Sequence, residues 1–518
     1  MLRKTFQTAF LLSALALLFN ACKTQSTKEI SKPVSAGAGL RLPNLFSHNL
    51  VLQQGQPAPI WGWGNDGDTV TVTFRGKKTS AKVQNGKWML KLPSQKAGGP
   101  DVLTVTEGKK SIQLTNVLVG EVWVASGQSN MEFALRRSFE SGPDIAASAN
   151  PLIHLLHVPK TRLDAPTNDI GATWTECNPD TTPDFSAVAY YFANDLQKAR
   201  GVPVGIIESS WGGTPCEAWT RHAQMESNPD FKKEIADGDA AAKLYQQHRA
   251  AFEKHRAEAK AHKKAFTEKE PKQGWVPGEL YNGMIAPLVP FAMRGAIWYQ
   301  GENNASNTER AWRYHKLFPN MIRNWRQDWN EGDFSFLLVQ LAPFKPIQHQ
   351  PNESDWASVR EAQLRATQIL PNVGMAVITD VGEEHDIHPT KKQPVGARLA
   401  LAARAISFGE KIEFSGPIYK KHASNGDKII LSFDHVGHGL EARGGALKGF
   451  SICGDDKKFV WALAEIEGDK VVVNSPSVPK PIAVRYGWAD FPVVNLWNKD
   501  GLPASPFRTD DFPLVDPK

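Results

Sequence analysis

The strongest constraint on the fold is the apolar run at 117–125, which contains a single charged residue. Such a run is typical of a strand buried on both faces of a parallel sheet. It ends in Gly-Gln-Ser-Asn at 127–130. Because open parallel sheets bind ligands at the carboxyl ends of their strands, Ser129 is a candidate nucleophile. The alternative is that Ser129 caps the following helix, with Glu132 completing a capping box.

Apolar strands alternate with helical segments between residues 117 and 408. The predicted strands are 117–125, 204–207, 295–299, 336–341 and 374–379. The predicted helices include 187–199, 314–329 and 356–370. This alternation predicts a doubly wound α/β domain with a parallel sheet. A polar stretch at 220–272, rich in Ala, Lys, Glu and Gln, predicts an exposed helical insertion.

Different patterns flank this α/β domain. Residues 40–116 show short alternating apolar runs divided by turn pairs such as Asn85-Gly86, which predicts an antiparallel β-sandwich. Alternation returns in residues 409–518, where we predict a second β domain and a tail packed back onto the body. The chain is therefore predicted to contain three folded domains, as its 518 residues suggest.

The first 22 residues have a basic start, an apolar middle and a small residue before Cys22. This is the pattern of a secretory signal, and its end resembles a bacterial lipoprotein signal in which Cys22 is lipidated. Residues 23–39 have almost nothing to bury and predict a flexible linker. We expect a protein of the bacterial cell envelope, or a secreted one, that contacts the membrane only through this anchor, because the apolar run is too short for a stable span.

Composition excludes some classes of function. The net charge is +6 and the basic residues are scattered, which argues against nucleic-acid binding. Cys177, Cys216 and Cys453 are distant in sequence and odd in number, so no disulfide framework is predicted. We expect them to be buried as small apolar residues.

Two further strand ends carry groups suited to ester hydrolysis. The pair Gly212 and Gly213 follows the second strand, and glycines let backbone N–H groups approach a developing oxyanion closely. A tight turn explains the pair equally well. Asn303 follows the third strand and could aim its amide at the same charge, whereas a polar turn is the alternative.

The last strand end is followed by a segment rich in histidine and carboxylates. His388 is the candidate base, because imidazole titrates near neutrality and can accept the proton of a serine hydroxyl. Asp386 or Asp380 could hold its ring. The competing interpretation is a metal site that includes His385, His388 and the neighbouring carboxylates.

In their order along the chain, four blocks resemble those of the SGNH (GDSL-type) hydrolases, and most closely their sialate O-acetylesterase branch. They lie at 127–130, 211–214, 298–303 and 386–389. Further similar segments, such as 86–88 and 501–510, extend the resemblance over nearly the whole mature chain. It implies a three-layer, flavodoxin-like α/β/α domain flanked by β-sandwich-like domains. It also implies hydrolysis of acetyl esters on sialic acid or a related glycan, without a metal or other cofactor.

The resemblance also assigns roles to residues. Ser129 matches the nucleophile and His388 the base of an acetyl-serine mechanism, while Gly212, Gly213, Asn303 and the N–H of Ser129 match the oxyanion hole. The family usually places its aspartate three residues before the histidine, where this chain has His385. Asp386, Asp380 and a backbone carbonyl therefore remain open as the third member. Six residues are predicted to contact substrate: Gln128, Asn282, Gln300, Glu302, Arg360 and Gln363.

Two other functions remain possible at this level. The same chemistry could act on acetylxylan or another polysaccharide, which the sequence does not distinguish from sialic acid. The chain could also be a glycan-binding lipoprotein without activity. The presence of Ser129, Asn303 and His388 argues against that second alternative.

Overall fold

The computed structural model describes residues 39–514. The predicted signal peptide, including Cys22, and the predicted linker up to residue 38 lie outside the described residues. The N-terminal part contains seven strands: β1 Val51–Gln53, β2 Ala58–Trp63, β3 Thr69–Phe74, β4 Lys77–Lys82, β5 Lys87–Leu92, β6 Gly98–Glu107 and β7 Lys110–Gly127. Strands β3 and β5 alternate between buried and more exposed residues, as expected where one face covers a core. Strands β2 and β5 form a separate pair, and their buried side chains share a core with those of β3 and β6.

Strand β7 joins this part to the central sheet. Its first residues pair with β6 in antiparallel fashion, and residues 121–127 pair in parallel with strands of the central sheet. The strand therefore starts seven residues before the predicted start at 117 and crosses the predicted domain boundary. Its first half alternates polar and apolar residues because one face is exposed there, so the sequence pattern changes within a single strand.

The central sheet is parallel apart from one edge strand. Its other members are β8 Asn150–His157, β9 Thr175–Cys177, β10 Val204–Ser210, β11 Gly295–Tyr299, β12 Ser335–Val339 and β13 Val373–Ala376. The strand order is β13-β12-β11-β7-β10-β8-β9, and only β9 runs antiparallel to its neighbour. Strands β8 and β10 thus lie on one side of β7, and β11 to β13 lie on the other. The carboxyl end of β7 is the switch point at which such sheets bind ligands.

Helices cover both faces of this sheet. The helices between residues 39 and 514 are α1 Ser129–Glu132, α2 Ser141–Ala146, α3 Ala187–Arg200, α4 His222–Glu226, α5 Lys232–Ala261, α6 Thr308–Trp329, α7 Asp355–Ile369 and α8 Gln393–Phe408. Helices α3 and α8 cover one face of the sheet, and α6 and α7 cover the other. Trp123 and Ala125 of β7 share a core with α3 and α8, whereas Val122 and Val124 share a core with α6 and α7. This alternation confirms the predicted three-layer α/β/α arrangement.

The predicted insertion at 220–272 contains α5, a helix of 30 residues whose side chains are mostly exposed. None of the helices between residues 39 and 514 is long and apolar enough to cross a membrane. Over the same residues, Cys177, Cys216 and Cys453 are buried and unpaired.

The C-terminal part consists of small antiparallel sheets around a core of its own. Its strands are β14 Ile418–Asn425, β15 Lys428–Asp434, β16 Leu440–Ala442, β17 Phe450–Cys453, β18 Val460–Trp461, β19 Leu463–Glu467, β20 Lys470–Asn474, β21 Ala483–Tyr486, β22 Leu496–Asn498 and β23 Phe507–Arg508. The two larger sheets have the orders β14-β15-β20-β19 and β18-β17-β21-β23.

Candidate active site

The turn after β7 presents Ser129 at the carboxyl edge of the sheet. A Cβ atom on Gly127, which has φ of 140°, would lie 2.1 Å from the carbonyl oxygen of Tyr299, so only glycine lets these strand ends approach. The Gln128 N–H donates to that oxygen at 2.9 Å. Helix α1 begins at Ser129 and has no side-chain cap. Glu132 contacts a different turn, so the capping alternative does not describe this serine.

The glycine turn after β10 lies directly against the nucleophile. A Cβ on Gly212 would lie 3.1 Å from the Ser129 Cβ, and Gly213 has a φ of 74°. The N–H groups of Ser129 and Gly213 donate to no other residue in the described part of the chain, so they can serve an oxyanion. The Gly212 N–H differs from the prediction because it donates to Oε2 of Glu132 at 2.6 Å. Gly212 instead contributes to the site by having no side chain, which leaves room for Ser129.

Asn303 completes this side of the site. Its Nδ2 donates to the carbonyl oxygen of Gly213 at 2.8 Å, and its Oδ1 accepts from Arg310 at 2.9 Å. Arg310 also pairs with Glu217 at 3.0 Å. These contacts fix the orientation of the amide and leave the second hydrogen of Nδ2 for an oxyanion. Neighbouring Asn304 is fully buried in a structural network, so the polar-turn alternative describes Asn304.

The histidine loop is tied to the nucleophile helix by Asn130. Its Nδ2 donates to the carbonyl oxygen of Ile387 at 2.9 Å and to Glu302 at 2.6 Å. The residue before His388 is therefore hydrogen-bonded to the residue after Ser129. Within residues 39–514, the Ser129 hydroxyl makes no hydrogen bond, including none to the His388 ring. Catalytic hydrogen bonds of this kind often tighten only in the substrate complex.

Asp386 is the carboxylate next to the imidazole. Its Oδ1 accepts the His388 backbone N–H at 2.8 Å and lies 3.6 Å from Nδ1 of the ring. Asp380 instead forms two hydrogen bonds to Arg398, at 2.6 and 2.8 Å. Partial burial lowers the pKa of His388, and the negative charge of Asp386 opposes this shift. The ring is thus neutral at pH 7 and able to accept a proton.

A lysine and a glutamate lie buried behind the loop. Nζ of Lys392 donates to Oδ1 of Asn130 at 2.5 Å and lies 4.8 Å from the centre of the Phe133 ring. Burial lowers the pKa of Lys392 to about 7, whereas burial raises the pKa of Glu302. Asn130 contacts both groups, so the three side chains form one network beneath the nucleophile and the base.

Comparisons with known proteins identify relatives of this chain among carbohydrate esterases. A family model described as carbohydrate esterase, sialic acid-specific acetylesterase, matches residues 265–405, which include Asn303 and His388. Sialate O-acetylesterases of Homo sapiens and Pongo abelii are each 29% identical over 537 positions, covering 91% of this chain and 93% of theirs. The crystal structure of a carbohydrate acetylesterase from Xanthomonas citri is 40% identical, with a TM-score of 0.79, and covers 91% of this chain and 100% of that one. The chain belongs to the sialate O-acetylesterase family. The family resemblance predicted from the four blocks is thereby confirmed.

Several predicted substrate contacts of this family member are structural instead. Oε1 of Gln128 accepts the backbone N–H of Asn303 at 3.2 Å. Gln300 is fully buried, with its amide bonded to Thr214, Asn304 and Tyr314. Gln363 is also fully buried and donates to the carbonyl oxygen of Gln300 at 3.0 Å. All three glutamines hold the turns of the site in place. Gln300 and Gln363 have no polar group left for a sugar, whereas Gln128 uses only its Oε1 in this way.

The remaining predicted contacts also lie within the protein. Arg360 is fully buried, and its guanidinium donates to the carbonyl oxygens of Leu341, Ala342, Ala489 and Asp490. It therefore joins the α/β domain to the C-terminal tail. Asn282 is buried and donates to the carbonyl oxygen of Leu163 at 3.0 Å. Glu302 is buried against Asn130, as described above.

The metal-site interpretation gains no support from the geometry. Between residues 39 and 514, no three His, Cys, Asp or Glu side chains converge on a point where they could bind a metal ion. The His385 side chain is 82% exposed and lies on the outside of the loop.

Sequence reasoning missed four residues that shape the site. Asn130 lies within the block at 127–130, but its partner Ile387 is 257 positions away, so their contact has no local signal. Lys391 and Lys392 are adjacent, a pattern typical of solvent-exposed lysines, so the sequence did not indicate that Lys392 is buried. Arg310 lies on helix α6, outside the four blocks. Trp275 donates to the carbonyl oxygen of Gly213 at 2.8 Å, and no local sequence pattern predicts that contact.

Proposed function

We propose that this protein hydrolyses acetyl esters on the hydroxyl groups of sialic acid or of a related glycan. The observation that carries the proposal is the meeting of three turns around Ser129. Gly212 leaves space against its Cβ, Asn303 bonds to the glycine turn, and Asn130 bonds to the residue before His388.

The first half of the proposed reaction is acyl transfer to the protein. Oγ of Ser129 attacks the acetyl carbonyl carbon while His388 accepts its proton. The carbonyl oxygen becomes negatively charged and receives hydrogen bonds from the N–H groups of Ser129 and Gly213 and from Nδ2 of Asn303. The C–O bond to the sugar then breaks, and His388 returns the proton to the sugar oxygen.

The second half releases acetate. His388 accepts a proton from water as the water oxygen attacks the acetyl-serine. The same donors stabilise the second oxyanion, and collapse frees acetate while His388 protonates Oγ of Ser129. The lowered pKa of His388 keeps the base form populated at neutral pH in both halves.

The names of the relatives support the substrate class. The curated relatives are sialate O-acetylesterases, and the relative of known structure is a carbohydrate acetylesterase. Acetylated sialic acid is therefore the first substrate to test, and acetylxylan is the second.

Acetate release tests this proposal directly. Wild type, Ser129→Ala and His388→Ala are compared on O-acetylated sialic acid, acetylxylan and p-nitrophenyl acetate. We expect release from sialic acid by wild type and a loss of at least a thousandfold in both variants. Equal inertness of all three proteins would favour a glycan-binding protein, and release from acetylxylan alone would favour the polysaccharide alternative.

We also propose export and a lipid anchor at Cys22, on the pattern of residues 1–22. Metabolic labelling with a fatty acid in a bacterial host tests this. Label is expected on the full chain and not on Cys22→Ala, and equal labelling of the two would contradict the anchor.

A further inference from the structure

We propose that Arg137 binds the carboxylate of an acidic sugar and so selects O-acetylated sialic acid over neutral acetylated sugars. The inference rests on the proposed function and names the charge that the site recognises in its substrate.

Arg137 lies on a segment packed against the histidine loop. It ends a 3₁₀ turn, Leu135–Arg137, and the next two residues are anchored to the loop beyond the base. The Ser138 hydroxyl and the Phe139 N–H both donate to the carbonyl oxygen of Thr390, at 3.0 and 2.9 Å. These two bonds hold the backbone next to Arg137 against the loop.

An aromatic ring connects this cation to the base. The Arg137 Cζ lies 4.6 Å from the centre of the Phe133 ring, and the Phe133 and His388 ring centres are 6.5 Å apart. The Arg137 charge also contributes to the lowered pKa of His388. A carboxylate bound to Arg137 would thus lie beside the reacting ester, on the His388 side of Ser129.

The carboxylates near Arg137 are occupied by other groups. Glu132 binds Lys160 and the Gly212 N–H, Glu383 accepts from Thr390, and Asp386 accepts from the His388 N–H. Arg137 is exposed, and its side chain makes no ion pair and no hydrogen bond with any residue that the structure describes.

The adjacent arginine provides the contrast. Arg136 is also exposed, but it forms an ion pair with Asp184. A guanidinium without a protein partner can bind a carboxylate through two parallel hydrogen bonds, a geometry that lysine cannot reproduce. Sialic acid carries a carboxylate at neutral pH, whereas the sugars of acetylxylan are neutral.

The test measures a specificity ratio, which cancels effects on folding and on the base. kcat/KM is measured on O-acetylated sialic acid and on the methyl ester of its carboxyl group, and the first value is divided by the second. The full chain is compared with Arg137→Gln, Arg137→Lys and the matched control Arg136→Gln. We expect Arg137→Gln to lower the ratio by about tenfold or more, as loss of a charge-assisted contact implies, mainly through KM. Arg137→Lys should retain part of the ratio, and Arg136→Gln should retain all of it.

Three results would overturn the inference. The ratio could be unchanged in Arg137→Gln, it could fall equally in Arg136→Gln, or wild type could cleave acid and methyl ester with equal kcat/KM. Each leaves the proposed esterase function intact. A wild type that cleaves neither compound would overturn the proposed function and this inference together.

Discussion

Replacement of Asn303 by alanine separates chemistry from stability at this site. Each partner of the Asn303 side chain keeps a second contact after the change. The carbonyl oxygen of Gly213 still accepts from Trp275 at 2.8 Å, and Arg310 still pairs with Glu217 at 3.0 Å. No buried polar group loses its last partner, so we expect the free energy of unfolding to fall by only about 1 kcal/mol.

The expected effect on rate is much larger. Asn303 supplies a side-chain donor to the charge that develops on the acetyl oxygen, and loss of one such donor lowers kcat by about a hundredfold to a thousandfold. This corresponds to about 2.7–4 kcal/mol of transition-state stabilisation. KM should change little, because the donor acts on the oxyanion more than on the neutral ester.

Asn304→Ala is the matched control. Its Oδ1 is the acceptor of the Cys216 N–H at 3.0 Å, and its Nδ2 donates to Oε2 of Glu217 at 3.0 Å. Alanine leaves both buried groups without that partner, which should lower the free energy of unfolding by about 3 kcal/mol. Adjacent asparagines are thus expected to have opposite effects: one variant is stable and slow, and the other is unstable.

The assay combines steady-state kinetics with urea unfolding. Both variants are measured on an acetyl ester at saturating concentration, at a temperature at which each is folded. The reasoning would be refuted if Asn303→Ala kept kcat within threefold of wild type. It would also be refuted if Asn303→Ala lost as much stability as Asn304→Ala.

Three further predictions concern the base, the glycine turn and the buried cation. Asp386→Asn removes a charge that raises the pKa of His388, so the acid limb of the pH profile of kcat/KM should move to lower pH; a move to higher pH would contradict this. Gly212→Ala should lower kcat roughly tenfold by displacing the nucleophile, since the added Cβ would lie 3.1 Å from the Ser129 Cβ. Gly142→Ala, which has open space around it, should leave kcat unchanged. Equal kcat values for the two variants would contradict the assigned geometry. Lys392→Met leaves Oδ1 of the buried Asn130 without its donor and should lower the free energy of unfolding by about 2 kcal/mol in urea. An unchanged midpoint would contradict this.

Much of the fold could be predicted because most buried strands have their own local signal. Strand β11 was predicted at its observed bounds, since its apolar run is continuous and ends in a polar turn. Strand β8 was missed because Pro151, His154 and His157 interrupt its apolar residues. His154 is nevertheless fully buried, with Nδ1 at 2.6 Å from the carbonyl oxygen of Asn49, a contact formed only after folding.

The reacting residues of the site could be predicted for a similar reason, but the residues that hold them in place could not. Ser129 and Asn303 each follow a strand end, and all parallel strands end at one edge of the sheet. The choice between Asp380 and Asp386 depends on Arg398, which occupies Asp380 from a separate helix. The burial of Arg360 depends on the C-terminal tail, more than 120 residues later, so the sequence alone suggested a substrate contact.

Covalent labelling of the nucleophile tests the central claim most directly. The full chain is treated with a fluorophosphonate, and peptide mass spectrometry locates the adduct while residual esterase activity is followed. We expect one adduct per chain, on Ser129, appearing in step with the loss of activity, and little adduct in His388→Ala. Activity that survives complete labelling of Ser129, or an adduct on another residue that accounts for the loss, would contradict the account.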